Sequence, residues 1–178
     1  MKALVALFIA TATLALAAPS GSPSPPPSGD NMSGTGRSSQ DDAPEFSFYN
    51  DGVKFLFQKQ WAAAEKQFNA AVAVNPKMAE AHNNLAYVLR KQGEPNYEKS
   101  LQHYSRAIEL KPKLAEAYMY RGALHSMMGH ADLAKADLAT LLKLKTRKSK
   151  ELAKHLQKIF DTGKEEEPEQ FYGVAKKK

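Results

Sequence analysis

Five histidines, one run of carboxylates and one displaced arginine are the residues of this chain whose types could carry chemistry. His82 and His125 stand where a helix would want a large apolar residue, so both read as packing histidines. His125 and His130 straddle Gly129, which gives no fixed metal-ligand spacing. His103 and His155 complete the five histidines. Glu165, Glu166 and Glu167 lie in a charged tail, where nothing holds two carboxylates in catalytic geometry. Cysteine is absent, which removes thiol nucleophiles, disulfides and thiolate metal sites. There is no Gly-rich phosphate loop, no H-E-x-x-H and no defensible Ser/His/Asp set. The chain therefore reads as a non-enzyme, with no cofactor and no metal.

The elements behind these residues repeat. NPKMAEAHNNLAYVLRKQG occupies residues 75–93, and KPKLAEAYMYRGALHSMMG occupies residues 111–129. Pro, Lys, Ala-Glu-Ala and the closing Gly recur in register. A small residue recurs at Gly52, Ala86 and Gly122, and Pro95 and Asn96 are inserted in the turn after Gly93. Around the first anchor stand Phe48, Asp51, Phe55, Ala64, Phe68, Ala71 and Pro76. Around the second stand His82, Leu85, Leu89, Ser100, Tyr104, Ala107 and Pro112. Around the third stand Tyr118, Arg121, His125, Ala134, Leu138 and Leu141. Large residues at this spacing give one apolar face per helix. The small residue lets a second helix approach, glycine suits the turn between them, and proline ends the unit. A period of this size means stacked helical hairpins.

This frame resembles the tetratricopeptide repeat, over about residues 45–145. The resemblance implies an all-α fold, antiparallel helix-turn-helix repeats stacked into a short right-handed solenoid with disordered termini. It divides the chain into repeats at 45–78, 79–114 and 115–146. Asp51 departs from the apolar residue usual at its place, and Thr146 stands where a proline is expected. In many such repeats an arginine at the place of Arg121 accompanies an aspartate at that of Asp137, which implies an interhelix ion pair. The resemblance also implies a concave groove for a peptide or helix of another protein. Carried onto this chain, its lining is Tyr49, Val53 and Leu56, then Asn83, Tyr87, Arg90 and Lys91, then Met119 and Ala123, with Phe57 and Met127 beside them. An acidic group of the partner is expected near Arg90 and Lys91. Relatives that hold a terminal carboxylate use Lys and Asn at set places. The matching places here are Tyr49, Val53, Glu116 and Tyr120, and only Asn84 agrees, so this chain is not expected to take such tails.

The flanks have their own readings. Residues 1–17 read as a cleavable signal peptide: Lys2, then an apolar run, then Ala15 and Ala17. This makes the protein secreted or periplasmic, the alternative being a tether by an uncleaved N-terminal segment. Residues 18–44 are Pro/Gly/Ser-rich and cannot bury enough apolar surface to order themselves. Asn31 opens a glycosylation sequon. Residues 147–161 read as a capping helix with Leu152, Leu156, Ile159 and Phe160 turned inward, because a repeat stack must close its last apolar face. Residues 162–178 read as a charged mobile tail, the alternative being that its Phe171-Tyr172 fills the groove.

The net charge is +6, with eight Lys or Arg against Glu151 and Asp161 in residues 143–164. That basic run supports a second function, binding of anionic envelope or matrix material through the cap. It lacks interleaved aromatics for base stacking, so nucleic acid is not expected. The first function is protein binding, as adaptor or scaffold.

Overall fold

The computed structural model describes residues 43–165. The signal peptide, nearly all of the linker and the tail beyond Glu165 lie outside the described residues. Among the described residues seven α-helices follow one another: α1 (Pro44–Phe57), α2 (Trp61–Val74), α3 (Ala79–Lys91), α4 (Tyr97–Leu110), α5 (Ala115–Met127), α6 (Ala131–Lys143) and α7 (Arg147–Thr162). No strand occurs among the described residues. α1 packs on α2, α3 on α4 and α5 on α6, while α2 meets α3 and α4 meets α5, which makes a solenoid of hairpins. Among the described residues, no helix is long and apolar enough to cross a membrane.

Each pairing rests on the small residue read from the sequence. A Cβ on Gly52 would stand 2.7 Å from the Phe68 ring of α2, so only glycine fits that crossing. In the second pair Ala86 takes the same place. Its carbonyl accepts a 2.7 Å hydrogen bond from the Ser100 hydroxyl, which is how a serine stands at a place filled by Ala64 and Ala134 elsewhere. In the third pair a Cβ on Gly122 would stand 2.7 Å from Leu156 of α7 and 3.2 Å from Asp137 of α6.

The turns within the pairs are not alike. Gly93 and Gly129 adopt φ of 102° and 78°, the left-handed region that glycine enters without cost. The first turn uses Lys59 there, at φ 56°. A side chain in that region costs of order 1 kcal/mol or more, so the first turn is strained where the others are not. The inserted Pro95 and Asn96 form a 3-10 turn over Glu94–Asn96 that leads into α4.

α7 opens with a reciprocal capping box, Thr146 accepting from the Ser149 backbone and Ser149 from that of Thr146. It closes on Gly163 at φ 65°. The buried stripe is Ser149, Leu152, Ala153, Leu156 and Ile159. Phe160, expected inside, is only partly buried. The helix is rotated so that Ala153 takes the inner place, because a small side chain permits a closer seat. Lys148 pairs with the buried Glu116 of α5, which fixes the start of α7 on the third repeat. The basic run is thereby partly neutralised, and Arg147 pairs with Glu151 in the same turn.

Arg121 and Asp137 meet. Nε donates to Oδ2 at 3.0 Å and Nη2 to Oδ1 at 2.7 Å, while Nη1 donates to Ser105 of α4 at 3.1 Å. One guanidinium thus ties α4, α5 and α6 together.

Candidate functional site

The face of α3 carrying Asn83, Tyr87 and Arg90 is where charge, aromatic rings and buried polar atoms converge. These residues stand at i, i+4 and i+7, one stripe of the helix. At one end runs a polar ladder. Asn83 Nδ2 donates to Asn84 Oδ1 at 3.1 Å, and Asn84 Nδ2 donates to the Tyr49 hydroxyl at 3.1 Å. Asn84 is thus engaged by its neighbours on both sides. The Oδ1 of Asn83 is buried with no hydrogen-bond donor.

At the other end the Arg90 guanidinium lies 5.1 Å from the Tyr87 ring centroid and 5.5 Å from that of Tyr120. The two rings meet edge-on at 5.0 Å, and Tyr120 stacks on Tyr104 at 6.2 Å. Both terminal nitrogens of Arg90 donate to the Glu165 carboxylate, each at 2.6 Å. The Arg90 side chain is 1% exposed and that of Glu165 is 16% exposed. A bidentate pair between a planar guanidinium and a carboxylate, set against aromatic rings and away from water, is a strong and specific anion contact. Nη1 also approaches the Met127 sulfur at 3.8 Å, and Nε has no acceptor.

The residues expected to line the groove are all here, but mostly not at the surface. Tyr49, Val53, Leu56, Asn83, Tyr87, Arg90, Met119 and Ala123 are buried. Tyr49 packs tilted against Phe68 at 5.8 Å, and Tyr87 lies 6.4 Å from Trp61. Lys91 alone is half-buried, its ammonium 5.6 Å from the Tyr87 ring. What reaches solvent beside it are Phe57, 48% exposed, and Met127, 51% exposed. The first helices thus offer an apolar, cationic lip over a buried polar floor, rather than an open lining. Sequence reasoning missed Glu165 altogether. The acidic group expected at Arg90 is supplied by the chain itself, through Glu165. Only the run of carboxylates so soon after the cap could have hinted at it.

Among the described residues no group of three potential metal ligands gathers. His82 and His103 instead stack at 5.3 Å with their Nδ1 atoms 3.0 Å apart. His82 Nε2 lies 3.1 Å from the Pro76 carbonyl, which can only accept, so that nitrogen carries the proton. His82 Nδ1 is then the acceptor and His103 Nδ1–H the donor. Burial lowers the pKa of both rings, and each is further opposed by positive charge nearby, Arg106 for His82 and His82 for His103, although the Pro76 carbonyl works the other way. Burial also lowers that of His125. The unfolded chain therefore binds more protons than the folded one just below the ordinary histidine range. Stability should be full above pH of about 6.5 and fall as the pH drops below it. Urea midpoints measured from pH 8 to pH 5 check this. His103→Gln, which keeps a donor to His82 but not a second titrating ring, should give a shallower fall.

Comparison with known proteins agrees with this architecture. Residues 52–115 match the family described as "Tetratricopeptide repeat". The chain is 27% identical over 108 residues to tetratricopeptide repeat protein 16 of Homo sapiens, across 58% of this chain and 12% of that protein. It is 33% identical over 91 residues to tetratricopeptide repeat protein 36 of Xenopus tropicalis, across 49% of this chain and 44% of that protein. The chain therefore spans less than half the length of either relative. Among solved structures it is similar to PcrH in complex with the chaperone-binding region of PopD, with a TM-score of 0.61 and 20% identity over 70% of this chain and 93% of that one. It is also similar to the second repeat domain of Spaghetti (RPAP3) bound to the HSP90 peptide SRMEEVD, with a TM-score of 0.55 and 24% identity over 60% of this chain and 96% of that one. At these identities the likeness is one of fold. That fold is in general a non-catalytic scaffold for protein interaction. Residues 52–115 thus carry the pattern of the tetratricopeptide repeat, and the three helical hairpins repeat it in register.

Proposed function

We propose that the chain is an exported interaction module that takes an extended, acidic and partly apolar segment of another protein across α3. The observation that carries this reading is the bidentate seat that Arg90 gives a carboxylate inside its tyrosine cage. The buried Asn83 Oδ1, lacking a donor on the same helix face, suits a backbone N–H of such a segment. Exposed Phe57 and Met127 suit its apolar side chains. Similar folds hold peptides of other proteins, which lends the reading support by analogy. Export is supported by Lys2, the apolar run behind it and the Ala15/Ala17 pattern.

Peptide display on the full chain tests the binding reading. Selected peptides should carry Asp or Glu near an aromatic or aliphatic residue. Lys91→Glu, at a half-buried site where folding is little affected, should weaken them several-fold and more so at low salt. Peptides without acidic residues, or binding indifferent to Lys91→Glu in a variant that melts like the parent, would overturn the reading.

A further inference from the structure

The carboxylate seated on Arg90 belongs to the chain, and it comes from the first residues beyond the capping helix. Gly163, in its left-handed conformation, ends α7 and turns the backbone. Two residues later Glu165 meets Arg90 of α3, a contact between residues 75 apart in sequence, and Arg90 Nη1 also approaches Met127 of α5. A cap needs no such reach, since Leu152, Leu156 and Ile159 already close the third repeat. The chain continues with a second and third glutamate and then reaches Phe171 and Tyr172, within roughly 25 Å of extended backbone.

We propose that Arg90 is a carboxylate-binding site whose resident occupant is the chain's own C-terminal segment beginning at Glu165, and that a partner's acidic residue must displace it. The inference rests on the reading of α3 as the binding face and adds its regulation. A cis occupant acts at an effective concentration in the millimolar range, because the linker to it is only a turn long. While it is seated, the apparent affinity for any competing ligand is reduced by the fraction of the time the site is closed. Release of the segment, rather than contact alone, then sets binding strength.

The probe for the test is a fluorescein-labelled peptide of residues 163–178, titrated by anisotropy against the full chain. The parent should bind it weakly. Full-length Glu165→Gln, which keeps the side chain's shape but not its charge, should bind it about tenfold or more tightly. Arg90→Met should bind it no better than the parent, and a probe carrying Gln at its own Glu165 place should fail on every chain. A Glu165→Gln chain that melts at a lower temperature yet binds the probe no more tightly than the parent would mean a merely structural ion pair, and would overturn the proposal. The two readings fail separately. Acidic peptides selected on the parent with no effect of Glu165→Gln would remove only the cis occupant. Probe binding to Glu165→Gln without any selected acidic peptide would remove only the outward function.

Discussion

Replacement of Leu156 by alanine should lower the unfolding free energy by about 2–5 kcal/mol, the range for truncating a buried leucine to alanine. Leu156 is fully buried, and its Cδ2 would stand 2.7 Å from a Cβ on Gly122, so it fills the notch that glycine leaves in α5. Truncation leaves a cavity at the junction of α5, α6 and α7, where rigid neighbours limit collapse. Lys154, exposed on the same helix, gives the reference: Lys154→Ala should change stability by no more than about 0.5 kcal/mol. Gly122→Ala in the parent should be costly because the leucine tip must move. In the Leu156→Ala background it should cost less, since the added methyl enters vacated space, although Asp137 Cβ at 3.2 Å still limits it. Urea denaturation of the four chains measures the cycle. Equal costs of Gly122→Ala in both backgrounds would mean that α7 does not seat on the glycine.

The notch and its filler show what local pattern can and cannot reveal. Gly52, Ala86 and Gly122 were legible because a close helix crossing tolerates few residue types, and the crossing recurs at a fixed period. The apolar stripe of α7 was legible to within a small rotation. Phe160, expected inside, is only partly buried while Ala153 is buried, because periodicity gives a face but not the angle at which a partner meets it. Lys59 could not have been read as a left-handed turn residue, since lysine carries no signal for that conformation and the strain is imposed by the hairpin. The lining of the groove was assigned by register. Register locates Cα atoms and says nothing about whether a side chain then packs inward, as Met119 and Ala123 do. The Arg90–Glu165 pair was illegible for another reason. It joins a helix to a post-cap segment through no repeat, and a carboxylate in a tail looks the same whether it is solvated or seated.

Arg121→Met should be among the most damaging single changes in the chain, costing about 3–5 kcal/mol. Methionine keeps much of the length and apolar stem of arginine, so the loss is one of charge and donors rather than of volume. What remains is the Asp137 carboxylate, only 4% exposed, with both of its guanidinium donors gone. An uncompensated buried charge is the expensive outcome, far more so than the pair itself is favourable. The reverse change, Asp137→Leu, should cost less, because the Arg121 side chain is 22% exposed and its head can turn toward water while Ser105 still accepts a bond. The double variant Arg121→Met/Asp137→Leu should recover most of the loss, since apolar side chains of similar size meet without an orphan. Thermal and urea unfolding of the parent, both singles and the double give the coupling energy directly. A double variant as unstable as Arg121→Met would mean that the hydrogen bond to Ser105 and the packing of the arginine stem, not relief of the aspartate, hold α4, α5 and α6 together.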